Sequence, residues 1–107
     1  MYMPDKRYQT LIDTSELPND GMHRLHHREF DVLICAVRGD YHVFENRCSH
    51  QGQPLHQGRI RDGCLVCPYH AARFFLESGQ PMGVPATVAI RKFPSHVRDG
   101  SLEVDFG

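Results

Sequence analysis

Tryptophan is absent from this chain of 107 residues, no apolar stretch is long, and the formal charge almost cancels. The longest apolar runs, Val32 to Val37 and Leu65 to Cys67, fall far short of the ~20 residues that a membrane-spanning helix requires. Twelve basic residues against thirteen acidic ones leave a net charge of −1, which gives no general case for nucleic acid or a membrane surface as partner. A signal peptide is not expected either, because Met1-Tyr2-Met3-Pro4-Asp5-Lys6-Arg7 turns polar at once with no apolar core behind it. The expectation is a soluble, cytoplasmic protein, acting as a monomer. No phosphate-cradling glycine loop or dinucleotide fingerprint occurs, so a flavin or nicotinamide would have to reside on another chain. Ser49 lies beside His50, but a nucleophile also needs a base oriented by a third group, and no such arrangement stands out.

What is present fits one small globular domain, residues 1–107, with a modest core. Punctuation is frequent and apolar runs are short, which predicts an all-β fold. Asp31 to Arg38 is rich in β-branched and apolar residues, and Tyr41 to Glu45 alternates; with a turn at Gly39-Asp40 they predict a hairpin. Ala89 to Phe93 and His96 to Arg98 are further strand candidates. They lead into Asp99-Gly100 and then Ser101 to Phe106, a second hairpin signal. Tyr8 to Ile12 and Met22 to His27 read as strands, and Thr14 to Pro18 as one helical turn that Pro18 stops. Strands from both ends would form a base, residues about 1–45 and 87–107. The intervening part, about 46–86, is rich in Gly and Pro and reads as loops broken by two short strands, Cys64 to Val66 and Arg73 to Leu76. So long a loop-rich stretch needs another source of order, and metal ligation is one.

Four cysteines stand at 35, 48, 64 and 67, and eight histidines accompany them. Without a secretion signal, metal binding is the better reading of such cysteines than a disulfide framework. Cys48-Ser49-His50 and Cys67-Pro68-Tyr69-His70 each set a thiolate close to an imidazole, in the same order, with residues 51–66 between them. Converging, Cys48, His50, Cys67 and His70 make a two-sulfur, two-nitrogen site. That donor set suits a [2Fe–2S] centre with two Cys on one iron and two His on the other, with a structural zinc as the alternative.

The surroundings narrow the choice through a resemblance. Cys48-Ser-His50-Gln-Gly52-Gln-Pro54-Leu55 resembles the first cluster box of the Rieske family, and Cys67-Pro-Tyr-His70-Ala-Ala-Arg-Phe74, followed by Ser78-Gly79, resembles the second. Pro85-Ala86 falls where that family places a proline-containing loop over its cluster. The resemblance implies a Rieske-like antiparallel β-sandwich with the cluster at one tip. It implies one [2Fe–2S] cluster per chain, with Cys48 and Cys67 on the buried iron and His50 and His70 on the outer, redox-active one. Two ferric ions, two sulfides and two thiolates sum to zero charge, whereas four thiolates would give −2, so the His-for-Cys exchange raises the potential.

Departures from the pattern say which branch it resembles. The high-potential branch carries an additional Cys in each box, joined as a disulfide; Gln53 and Tyr69 stand there in this chain. That branch also carries a Ser and a Tyr whose hydroxyls donate to cluster and ligand sulfurs, where this chain has Ala72 and Phe74. A potential in the lower part of the family's range of ~−150 to +300 mV follows. The chain is thus most similar to the ferredoxin components of bacterial multicomponent oxygenases. The resemblance implies a one-electron carrier, not itself an enzyme, that serves a flavin-dependent reductase and a terminal oxygenase. Competing readings are an accessory Rieske subunit docked to a redox enzyme such as a nitrite reductase, and a zinc-stabilised binding module. Ala71, where Gly is common, is expected to restrict the loop if its φ is positive, and Arg73, where an aromatic is frequent, is a candidate for the docking surface.

The remaining candidates have plainer readings. Cys35 and Cys64 are expected as core thiols, although Cys64-Leu-Val-Cys67 is formally a CxxC. His23, His26 and His27 are expected to be solvated, His42 to face outward from its strand, His56 to be exposed, and His96 to lack a companion ligand. Leu55 and Pro85 are candidates for shielding a cluster from water. Gly52, Gly79 and Gly83 are expected in backbone turns.

Overall fold

Residues 7–107 are described by the computed structural model of the chain. Ten strands and one short 3-10 turn (Thr14–Glu16) make up its regular structure among these residues. They form three antiparallel sheets. β1 (Tyr8–Asp13), β10 (Ser101–Asp105) and β9 (Ser95–Arg98) make the first, in the order β1-β10-β9, so both ends of the described chain meet there. β2 (Gly21–His27), β3 (Phe30–Val37), β4 (Asp40–Glu45) and β8 (Lys92–Phe93) make the second, in that order. β5 (Arg59–Arg61), β6 (Cys64–Val66) and β7 (Arg73–Phe75) make a small third sheet.

The lack of alternation along β3 has a physical cause. Val32 and Ile34 point into a core shared with Leu102, Val104 and Phe106 of the first sheet's side. Leu33 and Cys35 point the other way, into a core with Leu55, Leu65, Phe74 and both candidate thiols, Cys48 and Cys67. One strand serves two cores, so both of its faces are apolar. Burying side chains of this size stabilises by roughly 1.5–3 kcal/mol each, and this second core attaches the third sheet to the base.

The hairpins turn on paired positive φ angles. Arg38 (φ 53°) with Gly39 (φ 80°), Asp62 (52°) with Gly63 (75°), and Asp99 (50°) with Gly100 (78°) each occupy a two-residue connection that matches the twist of its strands. The first of these lies one residue earlier than the expected Gly39-Asp40, because Val37 pairs with Asp40. A third strand, β5, lies in the stretch expected to hold two. Ala89 to Phe93 is strand only at Lys92–Phe93, because Ile90 N–H is instead donated to the carbonyl of Gly79 at 3.0 Å. No helix among the described residues is long and apolar enough to cross a membrane.

Candidate metal centre

Each Cys–His box forms a loop closed in the same way. Cys48 N–H donates to the carbonyl of Gln53 at 2.7 Å, and Cys67 N–H donates to the carbonyl of Ala72, also at 2.7 Å. In both loops the acceptor stands five residues beyond the cysteine, so two unrelated stretches of sequence take up one geometry. The turns need left-handed backbone at Gly52 (φ 72°) in the first loop and at His70 (61°) and Ala71 (54°) in the second. The conformation that glycine would take without cost is therefore adopted here by Ala71.

The donors fall into two pairs. Cys48 and Cys67 are 1% and 2% exposed and lie within the core behind the loops. Burial pushes the Cys67 thiol up to about 11, the Tyr69 backbone N–H opposes that rise, and a hydrogen bond with the Cys48 thiol adds to it. His50 is half-buried and His70 exposed, with ring centroids 5.5 Å apart and planes at 84°. Two buried sulfurs and two less buried imidazoles are a donor set that suits a pair of metal positions, the soft donors on the more buried one.

The neighbouring segments seal the site. Leu55 is fully buried in the same core, as are Ala72 and Phe74. The Ser49 hydroxyl donates to the carbonyl of Val88, tying the first loop to the segment that contains the cis Val84-Pro85 bond. Gly79 fixes the other end of that segment. A Cβ placed on Gly79 would lie 2.8 Å from the carbonyl oxygen of Ile90, and its φ is +76°. Gly58 is equally constrained, since a Cβ there would meet the Val66 carbonyl oxygen at 2.0 Å.

Asn46 was not singled out from the sequence, and it is the one buried polar side chain among the described residues. Its Oδ1 accepts from Leu55 N–H at 2.7 Å, while its Nδ2 donates to both Asp31 carboxylate oxygens at 3.3 Å and to His56 Nδ1 at 3.0 Å. Arg24 completes the network with a bidentate pair to Asp31, 3.0 and 2.9 Å. Hydrogen bonds from Arg24 hold the Asp31 carboxyl below its usual range, against an opposing effect of burial. The first loop is thus anchored to β3 through one amide.

Several histidines are better partnered than their sequence context suggested. His56 is half-buried in the network just described rather than exposed. His42, expected to face outward, is half-buried and accepts from Lys92 Nζ at 3.1 Å. The same ammonium donates to the carbonyls of Leu76 and Glu77, both at 2.8 Å, so its three protons are all used. His27, expected to be solvated, bonds Gln9 and stacks on Phe106 at 4.9 Å, and His96 pairs with Glu103 at 2.6 Å. Cys35 and Cys64 are buried core thiols, as expected; burial pushes Cys35 up to about 12.

Comparison with known proteins agrees with this geometry. The model of the Rieske [2Fe–2S] domain matches residues 7–94. The 3-phenylpropionate/cinnamic acid dioxygenase ferredoxin subunit of Photorhabdus laumondii is 30% identical over 95 residues, covering 88% of this chain and 90% of that protein. The subunit of the same name from Escherichia coli K12 is 36% identical over 75 residues, covering 69% and 71%. Among solved structures, the ferredoxin of Sphingomonas yanoikuyae B1 superposes with a TM-score of 0.83 at 20% identity, covering 92% of this chain and 98% of that one. A complex of reduced oxygenase and oxidised ferredoxin in carbazole 1,9a-dioxygenase gives 0.83 at 20% identity, covering 94% of each chain. At such identity the likeness to these two structures is one of fold. With its family model spanning most of the chain and its paired cysteine–histidine loops, this protein belongs to the Rieske [2Fe–2S] domain family.

Proposed function

We propose that Cys48 and Cys67 hold the inner iron of the [2Fe–2S] cluster and His50 and His70 the outer one, and that the protein carries single electrons from a flavin-dependent reductase to a terminal oxygenase. The observation that carries this reading is the pair of identically closed loops, with thiols buried behind and imidazoles at the surface. The cluster, when bound, supplies one-electron redox chemistry. The chain itself does the rest: Leu55 and Phe74 keep water from the thiolates, the Cys67–Ala72 and Cys48–Gln53 closures hold the ligand backbone, and the exposed edge of His70 gives a partner close approach. The named relatives are ferredoxin subunits of dioxygenases, and one solved neighbour is a ferredoxin in complex with its oxygenase. The same reading makes the chain a cytoplasmic monomer, an electron-transfer component rather than an enzyme, with residues about 46–86 as its cluster-binding part.

Anaerobic purification followed by visible absorption, and by electron paramagnetic resonance after reduction, tests the assignment. A coloured protein with a reduced Rieske-type signal is expected, and its loss in His50→Ala and His70→Ala variants that remain folded. A colourless, resonance-silent protein holding stoichiometric zinc would refute it.

A further inference from the structure

Charge is unevenly divided along this nearly neutral chain. Residues 46–90 carry Arg47, Arg59, Arg61 and Arg73 against Asp62 and Glu77, whereas the rest carries eight basic and eleven acidic residues. The excess is placed at the cysteine–histidine loops. Arg59 and Arg73 both pair in register with Val66, one from each side of β6, so the three form a row directly before Cys67. Residues opposite one another on antiparallel strands share a face, and Arg59 lines a shallow groove with Cys67, Pro68 and Ala71. Arg47 lies on the other loop, its Nη2 3.3 Å from where a Cβ on Gly52 would stand.

These three arginines differ from others in the molecule. Arg24, Arg61, Arg91 and Arg98 each have a carboxylate within 4.0 Å, whereas among the described residues Arg47, Arg59 and Arg73 have none; Arg28 and Arg38 have none either, but stand on the β2–β3 and β3–β4 turns rather than on or beside a cysteine–histidine loop. All three are exposed. The same two loops also carry or hold exposed apolar groups, Tyr69 on the second loop and Val88, whose carbonyl is bound by Ser49 of the first. An apolar centre rimmed by uncompensated cations is a docking face for an apolar patch with an acidic rim, since complementary rim charge steers encounter and sets orientation.

We propose that Arg47, Arg59 and Arg73 form a cationic collar around the histidine edges, and that the terminal oxygenase binds it with a carboxylate-rimmed apolar patch. This deepens the electron-carrier reading and rests on it. The field at this end is positive although the whole protein is formally negative, so the collar rather than the net charge governs association.

Two measurements on the cluster-loaded protein test the proposal. In the first, the reduced protein is oxidised by ferricyanide, an anion, or by tris(phenanthroline)cobalt(III), a cation. Raising ionic strength from about 0.01 M to about 0.1 M shortens the screening length from about 30 Å to about 10 Å. The ferricyanide rate should fall and the cobalt rate rise, the opposite of what net charge alone would give. In Arg59→Glu and in Arg73→Glu both slopes should weaken and in the double variant they should reverse, while Arg61→Glu, the same charge change as either single variant at the turn end of the β5–β6 hairpin, should leave their signs alone. In the second, calorimetric titration onto the terminal oxygenase that takes its electrons should show at least a tenfold weaker Kd for the double variant at low salt. That difference should shrink as salt rises, because steering by such fields is worth about 10- to 1,000-fold. Slopes that follow net charge, or a double variant that binds the oxygenase as tightly as the parent, would overturn the collar. Binding weakened equally by Arg61→Glu would overturn it too. Normal inorganic slopes without any electron delivery to the oxygenase would instead refute the carrier reading and leave the positive face standing.

Discussion

Asn46→Asp changes no volume and keeps the acceptor for Leu55 N–H, yet it should be among the most damaging single substitutions in the chain. The oxygen that replaces Nδ2 would face both Asp31 carboxylate oxygens at 3.3 Å and the His56 Nδ1 lone pair at 3.0 Å. Two unit charges at that separation repel by ~5 kcal/mol at an effective dielectric of about 20. Arg24 already neutralises part of Asp31 through its bidentate pair, so the net cost should be nearer ~3 kcal/mol at pH 8. Burial and Asp31 both raise the new carboxyl above its unfolded value, so the penalty is small at low pH and grows as pH rises through the folded pKa. Anaerobic urea unfolding followed by circular dichroism is the assay. With a slope of about 2 kcal/mol per molar, the midpoint should fall by about 1.5 M at pH 8 and by clearly less at pH 5. A loss below about 1 kcal/mol, or one that does not vary with pH, would refute the view that this amide anchors the first loop to β3.

Other substitutions test other parts of the argument. Gly79→Ala should cost about 2 kcal/mol or more, from the left-handed backbone and the 2.8 Å approach to the Ile90 carbonyl, and should speed loss of the visible chromophore in air; an unchanged urea midpoint would contradict it. His42 is held below the ordinary imidazole value of 6.5, first by burial and then by the Lys92 charge. The unfolded chain therefore takes up this proton first, and stability falls as pH drops from about 6.5 towards the folded value. His42→Asn keeps an acceptor for Lys92 and should flatten the midpoint-versus-pH curve over that stretch, whereas parallel curves would rule the assignment out. Ala72→Ser and Phe74→Tyr each offer a hydroxyl to the sulfurs and should raise the midpoint potential measured by spectroelectrochemistry; a potential unmoved in both, with spectra intact, would show that these hydroxyls do not reach sulfur.

Local chemistry was legible from the sequence where a short stretch decides its own geometry. Asp99-Gly100 turns its hairpin as such a pair should, and the boxes become the two loops. The need for positive φ at Ala71 was legible too, because a position where glycine is common is one where backbone sterics matter. Asp62-Gly63 carried the same hairpin signal, and reading it would have found β5 between Arg59 and Arg61. What the sequence hid depends on partners from distant strands. Asn46 gains its role only when β3 brings Asp31 beside it and the first loop returns His56. Lys92 meets His42 on the neighbouring strand and the carbonyls of Leu76 and Glu77 just past β7, which takes His42 out of solvent. Ile90 leaves its expected strand because Gly79 lies close enough to take its N–H.

The collar and the cluster surroundings act on potential in opposite directions, and magnitudes decide between them. Cationic side chains near the histidines favour the reduced, more negative state. Arg47, Arg59 and Arg73 are exposed, so their charges act through water. At a separation of ~8 Å and a dielectric near 80, each is worth about 0.5 kcal/mol before salt screens it further. Ala72 and Phe74 are fully buried beside the thiols, where a hydrogen bond to a charged group is worth ~1.5–3 kcal/mol. The two missing hydroxyls therefore outweigh the three surface cations, and the low-potential expectation survives the positive field. The division has a functional sense. Potential is tuned from within, by atoms no partner touches, while the exposed charges remain free to select the partner.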